Sequence, residues 1–89
     1  MKNVLFRAGY YEWNVFVNDD CIYSFGHNIS GDFTEDTTYE ELEDLVDDCI
    51  YCMQEDLKDK GSEQLEEKYI PELKKQMLEK WGYHFGIEQ

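Results

Sequence analysis

Carboxylates are the side chains with the most chemistry to offer in this sequence, and they are concentrated. Asp32 to Leu57 holds Asp32, Glu35, Asp36, Glu40, Glu41, Glu43, Asp44, Asp47, Asp48, Glu55 and Asp56, with no lysine or arginine among them. Acids so placed can move protons, hold a cation or stand in for phosphates. Proton transfer needs carboxyl groups perturbed in a cleft by defined partners. Acids strung along one stretch do not supply that, no catalytic motif accompanies them, and no enzyme is expected. Cation binding invites comparison with a calcium loop. Asp32, Thr34, Asp36, Thr38, Glu40 and Glu43 fall at positions 1, 3, 5, 7, 9 and 12, but position 6 is Thr37 where an EF-hand requires glycine. The segment before Asp32 also reads as strand and loop, not helix. Weak, non-specific divalent binding fits better, and no metal or cofactor is expected.

The third role follows from geometry. Carboxylates at i and i+4 on a helix have Cβ atoms about 5–6 Å apart, and each strand of duplex DNA presents a charge per ~3.4 Å of axis. A row of acids is a workable phosphate surrogate, and its field speeds encounter with a basic partner.

Three cysteines complete the reactive set: Cys21, Cys49 and Cys52. An odd count argues against a disulfide framework. Cys49 and Cys52 have the CxxC spacing, yet fall in the middle of the helical pattern rather than at a helix start. A zinc site would have to draw further ligands from Cys21, His27 and His84. A structural or incidental role is expected for all three thiols.

The elements that position these groups can be read from periodicity. Over Tyr39 to Leu57, at 100° per residue, Leu42, Leu45, Val46, Cys49, Ile50, Met53 and Leu57 share one arc. Glu40, Asp44, Asp47, Asp48, Tyr51 and Glu55 occupy the opposite one, which predicts an amphipathic helix over 37–58. Thr37 or Thr38 is placed to cap it, and Thr38 with Glu41 fits a capping box. Lys58, Lys60 and Gly61 suit its end. Before it, Val4–Arg7, the alternating Tyr10–Val17 and Cys21–Phe25 predict an antiparallel hairpin or three-stranded meander within 1–30, turning at Asn18-Asp19-Asp20. Tyr11, Trp13, Val15 and Val17 share one face of it; Tyr10 and Phe16 lie on the other. That second face is either solvent-facing, with Tyr10 or Phe16 as contact residues, or covered by the C-terminal tail. Leu65, Tyr69, Leu73, Met77 and Trp81 recur every four residues, which predicts a second helix over 62–81, capped by Ser62 and either kinked or restarted at Pro71. Gly82 reads as its stop. The aromatic tail over 82–89 is expected to dock on the sheet or add an edge strand, with His84 as a packed ring. The fold class is α+β in a single domain: a hairpin or meander against two amphipathic helices.

Charge is divided as unevenly as the motifs. Residues 1–57 carry fourteen acids against two bases, a net of −12, and residues 58–89 seven against six, a net of −1, which together make the −13 of the chain. That balance argues against direct contact with nucleic acid or an anionic membrane and for a basic protein partner. No run of about eighteen apolar residues suggests a membrane span, and the opening residues are too soon charged for a signal peptide; a cytoplasmic location is expected. Seven tyrosines, five phenylalanines and two tryptophans exceed what so short a chain can bury, so some should face solvent as contact residues.

A short chain, a charge of −13, acids gathered at 32–56 and interleaved Tyr39 and Tyr51 resemble the small acidic inhibitors by which phages and mobile elements block host nucleases, the anti-CRISPR proteins among them. The resemblance is one of type and transfers no residue role by alignment. It implies a DNA or RNA mimic acting in the host cytoplasm, as monomer or homodimer, on a CRISPR effector or other nuclease whose arginines and lysines grip nucleic acid. The surface it implies comprises Asp32, Glu35, Asp36, Glu40, Asp44, Asp47, Asp48, Tyr51 and Glu55. An immunity protein or antitoxin against a basic nuclease toxin would use the same physics. An acidic adaptor subunit would use the acids for solubility alone.

Overall fold

The computed structural model describes residues 3–26, 36–62 and 65–87. Three antiparallel strands, β1 (Val4–Ala8), β2 (Glu12–Val17) and β3 (Asp20–Gly26), form a sheet in the order β1-β2-β3. Two helices follow, α1 (Tyr39–Asp59) and α2 (Ile70–Phe85), with one 3-10 turn at Glu67–Tyr69 before α2. The architecture is α+β, with the meander as the sheet.

The strands follow from alternation. Val4, Phe6, Trp13, Val15, Val17 and Phe25 point to one face and are buried; register pairs Phe6 with Val15 and Trp13 with Phe25. The β2–β3 hairpin closes on Asn18 and Asp19, both with positive φ (52° and 72°), the two-residue turn whose twist matches that of the strands. Between Val15 and Phe16 the register shifts from Tyr23 to Cys21. Ile22 is therefore an extra residue, a bulge in β3 that lets Tyr23 face the helices while Cys21 faces away.

Both helices pack on that inner face. Leu42, Val46, Cys49, Ile50, Met53 and Leu57 of α1 and Leu73, Met77, Leu78 and Trp81 of α2 complete the core. Its aromatic centre is Trp81, fully buried, edge-on to Phe6 (5.4 Å), Trp13 (6.0 Å) and Phe25 (6.3 Å). Phe6 and Trp13 stack in parallel at 5.4 Å. Edge-to-face pairs of this kind add about 0.5–1.5 kcal/mol beyond the area they bury.

Several expectations are corrected here. Of the two alternatives at Pro71, α2 takes the restart: it begins at Ile70 rather than at 62, with Pro71 in its first turn, where a missing N–H costs nothing. Ser62 does not cap it. Its N–H donates to the Leu57 carbonyl (2.8 Å) while the Gly61 N–H donates to the Lys58 carbonyl (3.0 Å), so both residues close α1. Gly82 does not stop α2; it is buried within it, and the helix runs on to Phe85. Residues 83–85 are thus helical, neither an edge strand nor a cover for the outer sheet face. That outer face carries Leu5, 43% exposed, and Phe16, over whose ring the Arg7 guanidinium lies at 4.5 Å. Tyr11 precedes β2 and is exposed rather than sharing its buried face.

Free strand edges invite unwanted pairing, and on β1 a side chain from α2 closes one. Gln76 is buried. Its Oε1 accepts from the Phe6 N–H (2.7 Å) and its Nε2 donates to the Val4 carbonyl (2.9 Å). One side-chain amide thereby makes one accepted and one donated bond of the kind a neighbouring strand would make.

Candidate functional site: the acidic face of α1

The acidic face exists because α1 is fixed so firmly by its other side. Six buried apolar residues hold it to the sheet and α2. Thr38 caps the start, as expected of one of the two threonines: its Oγ1 accepts from the Glu41 N–H (3.2 Å) and its hydroxyl donates to Glu41 Oε1 (3.3 Å). Glu40 and Glu41 then lie in the first turn, where the helix dipole favours them. Over its whole length α1 carries nine carboxylates against Lys58 alone.

Among the described residues of the expected surface, Asp36, Glu40, Asp44, Asp47, Asp48, Tyr51 and Glu55 are all exposed. Asp32 and Glu35 lie outside the described residues. Glu40, Asp44 and Asp48 stand on successive turns. Tyr51, 64% exposed, and then Glu55 continue the row, so that its carboxylates span about 22 Å at ~1.5 Å of rise per residue. No cation of the described residues lies within ion-pair distance of Glu40, Asp44, Asp48 or Glu55.

Asp47 is different. It sits on the flank toward α2 and pairs with Lys74 at 2.9 Å. Hydrogen bonding to Asp47 raises the Lys74 ammonium above its ordinary value, against an opposing effect of burial, with the charges of Asp47, Glu43 and Tyr39 adding to the rise. The pair is half in solvent and worth at most ~1 kcal/mol, but it means that one of the expected contact residues already has a cation.

The other flank faces β3. There the Tyr23 hydroxyl donates to Asp56. That bond, then burial and the Asp56 charge, push the Tyr23 phenol up to about 12. Cys49 lies on the same side. Burial, with Cys52 and Asp48 adding to it, pushes its thiol up to about 12. A redox or metal-binding CxxC works through a thiolate, and this environment suppresses one at Cys49. The described residues contain no group of three or more His, Cys, Asp or Glu side chains able to hold a metal ion. Glu40 and Glu43, the last two positions of the calcium-loop comparison, lie within the regular helix, as the helical periodicity predicts.

Two features of this surface escaped the sequence. Lys74 reaches back to α1, which only the antiparallel packing of the helices reveals. Tyr83, 91% exposed, was assigned to a docked tail; its helical position turns it outward.

No helix of the described residues is long and apolar enough to cross a membrane. No protein-family model matches the chain, and neither the curated proteins nor the solved structures include one with significant similarity to it.

Proposed function

We propose that this protein is an acidic inhibitor that presents α1 to the nucleic-acid-binding surface of a basic protein. Its targets are host defence nucleases, in the manner of anti-CRISPR proteins, and it acts in the host cytoplasm. One observation carries the reading. Glu40, Asp44, Asp48 and Glu55 form an exposed row on a rigidly held helix, with no cation of the described residues to neutralise them.

A surface built to grip phosphates supplies the missing cations. Lysines and arginines that normally lie along a nucleic-acid backbone would meet carboxylates spaced by one helical turn. Tyr51 within the row adds a ring for stacking or a hydroxyl for hydrogen bonding. The chain's field would steer the encounter, so association should be fast at low salt and slow as salt rises. The reading involves no reaction: inhibition is occupancy, and nucleic acid competes for the same site.

The test is affinity capture from a nuclease-treated host lysate at low and high salt. The expected result is a basic nucleic-acid enzyme, lost as salt rises and displaced by added DNA. Asp44→Lys with Asp48→Lys should abolish capture while leaving the circular dichroism spectrum unchanged. A partner indifferent to salt, DNA and that double substitution would sink the reading.

A further inference from the structure

Three of the large hydrophobic side chains stand far out of the fold. Tyr10 is 87% exposed, Tyr11 79% and Tyr83 91%. They belong to one end of the molecule. Tyr10 and Tyr11 tip the loop between β1 and β2. Ala8 and Trp13, on either side of that loop, line a shallow cleft together with Glu79, Lys80, Tyr83 and His84. The Trp13 ring meets His84 edge-on at 5.3 Å, so the floor of the cleft is aromatic as well.

Tyr10 and Tyr11 are held in place. The Gly9 N–H donates to the Glu12 carbonyl at 2.6 Å. A Cβ at Gly9 would fall 2.6 Å from Asn14 Nδ2 and 2.9 Å from the Glu12 carbonyl oxygen, so the tight turn depends on glycine. Tyr10 and Tyr11 brace each other edge to face at 4.5 Å. None of the three rings is needed by the core, which Phe6, Trp13, Phe25 and Trp81 already fill. Rigid rings with few rotamers lose little entropy on binding, which is why tyrosine recurs in contact surfaces.

The surroundings indicate what these rings would receive. The face of a phenol ring attracts cations, and guanidinium groups most often. Glu12 follows Tyr11 directly. Glu79 lines the cleft with Tyr83 and also a neighbouring one with Tyr39, the residue that opens α1. The aromatic end therefore approaches the start of α1 across a second cleft that Lys74, already paired with Asp47, and Lys75 also line; Lys80 is the one fixed cation lining the first. Bases of a single strand would also stack on such rings, but their phosphates would have to enter the field of a chain of net charge −13.

We propose that Tyr10, Tyr11 and Tyr83 form a clamp for arginine side chains of a basic protein partner, continuing the contact made by the acidic row. The inference rests on the reading that α1 faces such a partner. It is tested by titrating the full chain with oligo-arginine, with oligo-lysine of equal length and with oligothymidylate, followed by calorimetry and by NMR of the tyrosine rings.

Arginine peptide should bind more tightly than lysine peptide and shift the rings of all three tyrosines. Tyr10→Ala/Tyr11→Ala/Tyr83→Ala should weaken oligo-arginine roughly tenfold and erase most of the preference over lysine. All three sites are exposed, so the variant should fold, which circular dichroism checks. Glu40→Gln/Asp44→Asn/Asp48→Asn/Glu55→Gln should weaken both peptides alike and flatten the salt dependence.

If the tyrosine variant binds as wild type while the acid variant does not, the clamp is wrong and the acidic-face reading stands. If the tyrosine variant fails and the acid variant binds normally, the rings take arginine on their own, and the acidic-face reading falls together with the clamp as its continuation. Tyrosine-dependent binding of oligothymidylate would overturn the clamp in favour of a single-stranded nucleic acid. Concentration-dependent self-association lost in the tyrosine variant would overturn it in favour of a second copy of this chain.

Discussion

Gln76 shows how much can depend on one residue. Its amide satisfies the Phe6 N–H and the Val4 carbonyl on the open edge of β1. Gln76→Ala should therefore lower the stability to urea by about 2–3 kcal/mol, since it strands two strand groups. Gln76→Glu keeps the acceptor for Phe6 but buries an ionised carboxylate against the Val4 carbonyl, and at neutral pH should be no more stable than the alanine variant. Equal stability of all three proteins would mean that water replaces the amide at no cost. Little in the sequence announces this role. Gln76 lies three residues after Leu73, at the margin of the apolar stripe, and its partners are seventy or more positions away. Tyr23 offers a test by pH. Its phenol is pushed from the ordinary 10.0 up to about 12, chiefly by donating to Asp56. The folded state therefore holds that proton more tightly than the unfolded chain does. The resulting stability is fully present below pH 10 and is lost as pH rises toward about 12. Spectrophotometric titration of the seven tyrosines should show one that ionises late, and Tyr23→Phe should remove that late step. A titration unchanged in Tyr23→Phe would assign the shift to another ring.

At the scale of elements, two glycines near the end of α2 should respond in opposite directions. Gly82 lies inside the helix, where a Cβ would meet the Ile87 carbonyl oxygen at 3.4 Å and Leu42 Cδ2 at 3.7 Å, ordinary contact distances. Gly82→Ala should stabilise the protein by about 0.5–1 kcal/mol through helix propensity. Gly86 has φ +70° and ends the helix, with its N–H on the Tyr83 carbonyl and that of Ile87 on the Gly82 carbonyl. Gly86→Ala should cost about 1 kcal/mol, because an L side chain strains that conformation. Denaturation midpoints that move in the same direction for both variants would contradict this assignment of roles. The same pair shows where the sequence was legible and where it was not. α1 could be read because six apolar residues keep one phase over about four turns, with Thr38 to start it and Gly61 to end it. The strands could be read from alternation, except that the bulge at Ile22 and the exposure of Tyr11 depend on pairing with neighbours. The end of α2 could not be read, because an interior glycine and a terminal one look alike until Leu42 and Ile87 are seen beside the first. Tyr83, His84 and Phe85 have no period that separates helix from strand. Of the acidic surface, the outward row was legible from the helical wheel, whereas the pairing of Asp47 with Lys74 and the aromatic end beside it needed the tertiary structure.

For the molecule as a whole, the question is what the uncompensated charge costs. Glu40 with Asp44, and Asp44 with Asp48, place like charges one turn apart, each pair costing a few tenths of a kcal/mol. The remaining carboxylates of a chain at −13 add self-repulsion at longer range. Such repulsion is screened over about 30 Å at ~0.01 M salt but over only about 3 Å at ~1 M. The melting temperature should therefore climb as sodium chloride is raised through that range. Glu40→Gln/Asp44→Asn/Asp48→Asn/Glu55→Gln, which keeps side-chain volume and removes four charges, should melt higher than wild type at low salt and respond less to added salt. The same variant distinguishes the two accounts of the acidic face. If the acids served only to keep the protein dissolved, their spacing along α1 would be free to drift toward arrangements that repel less. If the row of Glu40, Asp44, Asp48 and Glu55, which no cation of the described residues pairs with, lowers stability, the proposed partner surface gains support, since proteins commonly trade stability for function at their sites. A variant that is more stable and no longer captures a basic protein would supply that support. A variant that is less stable at low salt would mean that the carboxylates take part in holding the fold, and mimicry would lose its main physical support.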